Sequence, residues 1–325
     1  MSDMATGTSI ESQLEPYRTE LTGYCYRMLG SAFEAEDAVQ DTFVRAWRGF
    51  ERFEGRSALR SWLYRIATNV CLTMLGSAQR RVRPMDLGPA GSGRASDPGE
   101  PRPEQIWLGP AADGRVLPEV ADPADVVAAR ESVQLALVAA LQHLPPRQRA
   151  VLILREVLAW SAQEVADLLG TSVPSVNSAL QRARATLAAT DVTADVADPL
   201  DEEQKALLAR YVQAFEAYDL EALTVLLRED ATLSMPPLPL WLRGPDDIVA
   251  WMLGTGHGCR GSRLVPVAAN GMPAFGQYRP SLTGAGHDPW ALIVLELSGG
   301  RIAALNNFLD TPRLFPLFGL PAHLD

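Results

Sequence analysis

Polar and apolar positions change rhythm several times along the chain. From Leu14 to about Gly76 the apolar side chains recur every three or four residues, as in Leu21, Tyr24, Cys25, Met28, Leu29 and then Ala38, Val39, Phe43, Ala46, Trp47. That is the period of amphipathic helices, and it predicts three or four of them in a first domain, residues 10–82. Residues 83–125 are crowded with Pro and Gly, sustain neither helix nor strand, and are expected to form a flexible acidic linker. Helical spacing returns over residues 126–189, with Pro145-Pro146 opening one helix and Gly170 closing another. After a short linker, residues 190–200, the segment 201–325 starts with one long helix, Glu202 to Tyr218. It continues in β-rich stretches such as Trp290 to Leu297, followed by the turn Ser298-Gly299-Gly300. The expected architecture is therefore multi-domain, two all-α domains followed by an α+β domain.

The length of 325 residues agrees with two or three domains of ordinary size, and 47% hydrophobic residues are enough to build real cores. No apolar run approaches the roughly 18 residues of a membrane span, and no basic-then-apolar leader opens the chain. A cytoplasmic protein with no membrane association is expected. Cys25, Cys71 and Cys259 are odd in number and lie in no ligand spacing, so buried thiols are expected, with neither metal nor disulfide.

The net charge of −10 would disfavour nucleic acid if it were spread evenly. It is not: from Thr42 to Arg83 there are nine arginines against Glu51 and Glu54, whereas from Asp191 to Asp325 seventeen carboxylates face nine basic side chains. In the basic stretch Arg45, Arg48, Arg52, Arg56, Arg60 and Arg65 alternate with Trp47, Phe50, Phe53, Trp62 and Tyr64. Arginine holds phosphate while aromatic faces stack unpaired bases, a composition suited to single-stranded or melting DNA, although solvated arginines over an aromatic core would read the same way. Beside it, Glu34, Asp37 and Asp41 fall on one side of a helix, an acidic face that repels DNA and suits a protein partner, unless it is simply solvated.

The segment Ser161 to Leu187 reads as a polar cap with Glu164 three residues on, a short helix, a turn at Gly170 to Ser172 and a longer helix from Pro174. In such a helix-turn-helix the second helix offers Ser175, Asn177, Ser178 and Gln181 to base edges, and Arg182 and Arg184 to phosphates.

Three runs carry a family resemblance: Ala35 to Trp47, Phe53 to Asn69, and Leu144 to Arg149 continuing to Arg182-Ala-Arg-Ala-Thr-Leu. They resemble regions 2 and 4 of extracytoplasmic-function (group 4) sigma factors of the sigma-70 family, over roughly the first 190 residues. The resemblance implies binding to core RNA polymerase and promoter DNA without catalysis. Asp37, Gln40 and Asp41 match the family's polymerase-binding helix. Arg56, Ser57, Arg60, Ser61 and Trp62, followed by Arg65 and Asn69, match its minus-10 positions. Ser172, Pro174, Ser175, Asn177, Ser178, Gln181, Arg182 and Arg184 match its minus-35 recognition helix, with Asn177 and Ala179 standing where many members are basic.

Residues 201–325 resemble the SnoaL-like branch of the nuclear-transport-factor-2-like fold, a curved sheet wrapped round a helix to form a cone, in phrases such as AYDLEAL and LRGPDDIVAW. Trp241, Trp251, Asn270, Tyr278, Trp290 and Asn306 are candidates to line a pocket for a small-molecule ligand, or else belong to the core. Asp230, Asp246, Asp247, Asp288, His257 and His287 lie beside turn residues and are expected to be exposed rather than catalytic, so no enzyme, cofactor or metal site is expected. The acidic domain is expected to contact the sigma domains within the chain and regulate them in cis. A ligand-sensing or enzymatic extension, and a one-component DNA-binding sensor that never engages polymerase, remain as alternatives.

Overall fold

The computed structural model describes residues 10–53, 58–76, 80–94, 97–118, 122–189 and 201–325. They fall into two compact units, one from Met1–Arg81 with Asp113–Ala194, the other from Val82–Ala112 with Asp195–Asp325.

In the first unit, α1 (Arg18–Leu29) ends where Gly30 turns left-handed at φ 73° and its N–H returns to the Tyr26 carbonyl. Ser31 then caps α2 (Ala32–Gly49) by accepting from the Glu34 N–H. Together with α3 (Leu59–Leu75) these helices enclose Leu21, Tyr24, Cys25, Met28, Ala38, Leu63 and Cys71, as the helical period requires. Phe43 and Trp47 follow the same period yet stay outside this core, Trp47 being 53% exposed. Helices α4 (Asp113–Val116), α5 (Pro123–Glu131), α6 (Leu135–Leu141) and α7 (Pro146–Leu152) follow. The last of these runs into a π-helical turn at Ile153–Val157. Ser161 and Glu164 form a reciprocal capping box for α8 (Ala162–Leu169), Gly170 ends it at φ 61°, and Ser172 caps α9 (Val173–Ala188). The helix-turn-helix expected from these polar caps is present. The two helical domains pack together rather than standing apart, α1 against α6 and α7, and α3 against α7 and α8.

In the second unit α10 (Glu202–Ala217) and α11 (Leu220–Leu226) lead into β1 (Leu227–Ser234) and β2 (Trp241–Arg243), then α12 (Pro245–Leu253). Strands β3 (Arg263–Ala269), β4 (Met272–Pro280), β5 (His287–Ser298) and β6 (Arg301–Phe308) follow, and α13 (Thr311–Leu317) closes the fold. The six-stranded sheet has the order β2-β1-β6-β5-β4-β3, antiparallel except where β1 pairs parallel with β6. Leu207, Tyr211 and Phe215 of α10 and Trp251 of α12 bury against Leu233, Phe275, Ile293 and Leu305 of the sheet.

The expected flexible linker at 83–125 is mostly ordered. Its first part, Val82 to Ala112, belongs to the second unit and runs along it as a strap. Gly91 N–H donates to the Trp241 carbonyl at 2.8 Å, Arg102 N–H to Pro237 at 2.9 Å, and Ala112 bridges Ala269. A Pro- and Gly-rich composition disfavours long helices and strand ladders of its own, but it does not prevent an extended chain from satisfying its backbone on a neighbour.

Candidate nucleic-acid and polymerase interface

Three surfaces carry the residues singled out from the sequence. On α2, Asp37 and Gln40 are exposed and Asp41 is half-buried. Asp41 pairs with Arg45 one turn on, at 2.8 Å, and Glu34 turns away to hold the buried Arg81 at 2.7 Å, so Glu34 leaves the acidic face expected of it. The same helix lines a groove of about 920 Å³ with Leu14, Arg18, Phe43 and Trp47, and Gln40 stands on its wall. Arg115 of α4 reaches Glu36 at this groove, at 2.6 Å. A Cβ on Gly23 would meet the Val116 carbonyl at 2.3 Å, so only glycine lets α4 lie this close to α1.

On α3, Trp62, Arg65 and Asn69 succeed one another at three- and four-residue spacing and share a face. Arg65 and Asn69 are exposed, and Ser61 and Trp62 are half-buried. Arg56 and Ser57 lie outside the described residues. One face of Trp62 is taken by Phe53, with ring centroids 4.8 Å apart, so this aromatic is partly core. Arg60 is held by Glu20, whose two oxygens each accept from Nε at 3.1 Å, and its guanidinium lies 5.2 Å above the Tyr64 ring and 5.5 Å above that of Trp160. Burial raises the Glu20 carboxyl above the ordinary range despite the Arg60 charge, which acts to lower it. Arg65 donates to the Asp167 carbonyl at 3.2 Å.

On α9, Val176, Leu180 and Ala183 face inward and Pro174, Ser175, Asn177, Ser178, Gln181, Arg182 and Arg184 face out. Ser172 is exposed as well, but its hydroxyl caps the helix by accepting from the Ser175 N–H. Arg182 donates to Ser178 at 2.7 Å, and Arg184 pairs with Glu156 at 2.5 Å, where the sequence suggested a free phosphate contact.

Where the two helical domains meet, Arg27 and Arg149 are each only 3% exposed. Arg27 donates to the Ser132 hydroxyl at 2.5 Å, and Arg149 to the Met28 carbonyl and, at 2.6 Å, to Gln142. Among the described residues neither guanidinium pairs with a carboxylate, and burial brings each down to about 10. Sequence reasoning missed Glu20, Arg27, Arg149 and Trp160. The first three are single polar residues inside helical patterns, and Trp160 sits in a connector without periodicity, so no local signal marks them.

Each of the six candidate pocket residues of the second unit has a partner within that unit. Trp251 belongs to the core. Trp241 donates its indole N–H to the Gly88 carbonyl of the strap at 2.9 Å. Asn270 and Gly271 both have positive φ, 58° and 70°, and form the two-residue hairpin turn between β3 and β4. The Asn270 Oδ1 accepts from the Ala111 N–H at 3.0 Å, and its own N–H donates to the Ala111 carbonyl. The Asn-Gly pair was the legible signal for that role. Tyr278 donates to the Pro321 carbonyl, Asn306 to Glu296, and Trp290 lies under the Arg279 guanidinium. Of the carboxylates weighed for catalysis, Asp247 accepts from the strap's Gly93 N–H at 2.7 Å and Asp288 pairs with His323 at 3.0 Å. The three cysteines are free and buried.

Comparison with known proteins is consistent with each part. Residues 14–81 match the sigma-70 region 2 family, residues 134–187 the sigma-70 region 4 family and residues 208–305 the SnoaL-like domain family. The chain is 47% identical over 314 residues to the ECF RNA polymerase sigma factor SigG of Mycobacterium tuberculosis, covering 95% of this chain and 83% of that protein. It is 26% identical to the ECF RNA polymerase sigma factor SigJ of the same organism, over 90% of this chain and 89% of that protein. The crystal structure of Mycobacterium tuberculosis SigJ superposes with a TM-score of 0.62 at 23% identity, covering 95% of this chain and 99% of that one, and so shares its fold.

Proposed function

Because this chain belongs to the ECF RNA polymerase sigma factors, we propose that it binds core RNA polymerase and directs initiation at promoters of its own. Asp37, Gln40 and Asp41 form the polymerase-facing surface. Arg56, Ser57, Arg60, Ser61, Trp62, Arg65 and Asn69 take the minus-10 strand. Residues Ser172 to Arg184 enter the major groove at minus-35. The observation that carries this is the division of α9, where Val176, Leu180 and Ala183 are buried while Ser175, Asn177, Ser178, Gln181, Arg182 and Arg184 are exposed, as a helix inserted in a groove requires. No described helix is long and apolar enough to cross a membrane, and the protein acts in the cytoplasm with the polymerase.

The SnoaL-like domain regulates the sigma domains in cis and is not a catalyst. Two of its six candidate acid–base groups already hold structure, Asp247 on the strap and Asp288 on His323. The strap gives the domain its handle, since residues 82–112 join the two sigma regions in sequence and are held by the SnoaL-like sheet.

The test is transcription in vitro with cognate core polymerase on a promoter library, comparing the full chain with one ending at Ala189. Promoter-specific transcripts from either are expected, with different yields. Silence from both together with no core binding would exclude the sigma function, and equal yields would exclude regulation in cis.

A further inference from the structure

Within the first unit, Arg60 and Arg65, two of the residues assigned to the minus-10 strand, meet residues of region 4. Trp160, in the connector between α7 and α8, is 6% exposed, and its ring lies 5.1 Å from that of Tyr64 on α3. The Arg60 guanidinium sits over both rings, and Arg65 is bonded to the Asp167 carbonyl of α8. Two of the minus-10 side chains are thus engaged by region 4, one through a flat indole of about the size of a purine base. The Trp160 Nε1 is buried with no hydrogen-bond partner among the described residues, and the ring is held by packing, including its tilted contact with Tyr64, and by the cation.

We propose that region 4 closes region 2 by seating Trp160 on Arg60 and Tyr64, so that the indole and an unstacked promoter base compete for the same cation. The inference rests on the minus-10 assignment of Arg60. The closed packing is poised to open, because it buries Arg27 and Arg149 without a carboxylate partner, a cost regained when the domains part and water returns to those groups. Glu20 holds Arg60 from region 2 itself, so opening leaves the guanidinium oriented for the strand. Trp160 is then a lock that promoter capture or polymerase binding displaces.

The experiment uses the full chain labelled through Thr73→Cys on α3 and Ala185→Cys on α9, both exposed positions. Energy transfer between the labels and the affinity for a fluorescent pool of single-stranded DNA are measured together, with melting followed by circular dichroism to establish folding. Trp160→Ala is expected to lower energy transfer and to tighten binding by about five- to thirtyfold, the effect of releasing one desolvated cation–ring contact. Trp160→Leu, which keeps apolar volume but has no ring, is expected to change both in the same direction and by less, and it carries the test if the alanine variant fails to fold. Unchanged energy transfer in both variants would overturn the lock, as would opening without any gain in affinity. A gain that survives Arg60→Ala in the same chain would overturn the minus-10 assignment of Arg60 and the competition with it.

Discussion

Arg27 shows how one residue can join two helical domains and still cost the fold energy. Burial without a counter-ion holds its guanidinium at about 10, below the value it has in the unfolded chain. The sign follows from proton counting: between those two values the unfolded chain binds more protons, so stability rises with pH there, and below about 10 the whole penalty is present. Replacing such a charge by an apolar chain of similar volume removes that penalty, and the Ser132 hydroxyl keeps the Ala129 carbonyl as an acceptor. Arg27→Met is therefore expected to cost less than about 1 kcal/mol in urea denaturation at neutral pH, or to stabilise. A loss of about 3 kcal/mol would mean that the bonds to Ser132 outweigh the desolvation of the charge. Neither Arg27 nor its burial was legible in the sequence, because a charged residue inside an amphipathic helix is assigned to solvent by default.

Among the elements, the helix-turn-helix and the strap were legible to very different degrees. Ser161, Glu164, Gly170 and Ser172 carry their structural roles in their own chemistry, two caps, a left-handed turn and a capping box, and each acts where the sequence predicts. The strap has no such code, because its hydrogen bonds go to residues more than a hundred positions away, such as Trp241 and Asn270. Its seat is nonetheless specific: a Cβ on Gly93 would lie 1.7 Å from the Asp247 carbonyl oxygen. Gly93→Ala is expected to lift this stretch, so that trypsin cleaves the full chain faster after the exposed Arg94, while the SnoaL-like sheet survives. Unaltered cleavage would mean that the strap is held elsewhere.

For the whole molecule, the consequence of the strap is that truncation does two things. A chain ending at Ala189 loses the SnoaL-like domain, and residues 82–112 lose the partners of their backbone groups. With no core of its own, that stretch cannot offset the entropy of staying ordered. Rapid trypsin cleavage at Arg94 is expected in the truncated chain and slow cleavage in the full one, measured by limited proteolysis under matched conditions. Equal rates would show that the strap does not depend on the domain.

The helical character of the first two domains, the α+β character of the third, the helix-turn-helix and its outward residues, and the family all followed from spacing, caps and short motifs, since these depend on neighbours within a few positions. The packing of the two sigma regions into one unit, the engagement of Arg60 by Trp160 and the use of a Pro- and Gly-rich stretch as a strap were decided only in the tertiary structure. The same holds for Asn270 and Trp241, read as pocket candidates and found bonding that strap. Each depends on what a polar atom or a ring meets across a long separation in sequence, and local periodicity carries no record of that partner.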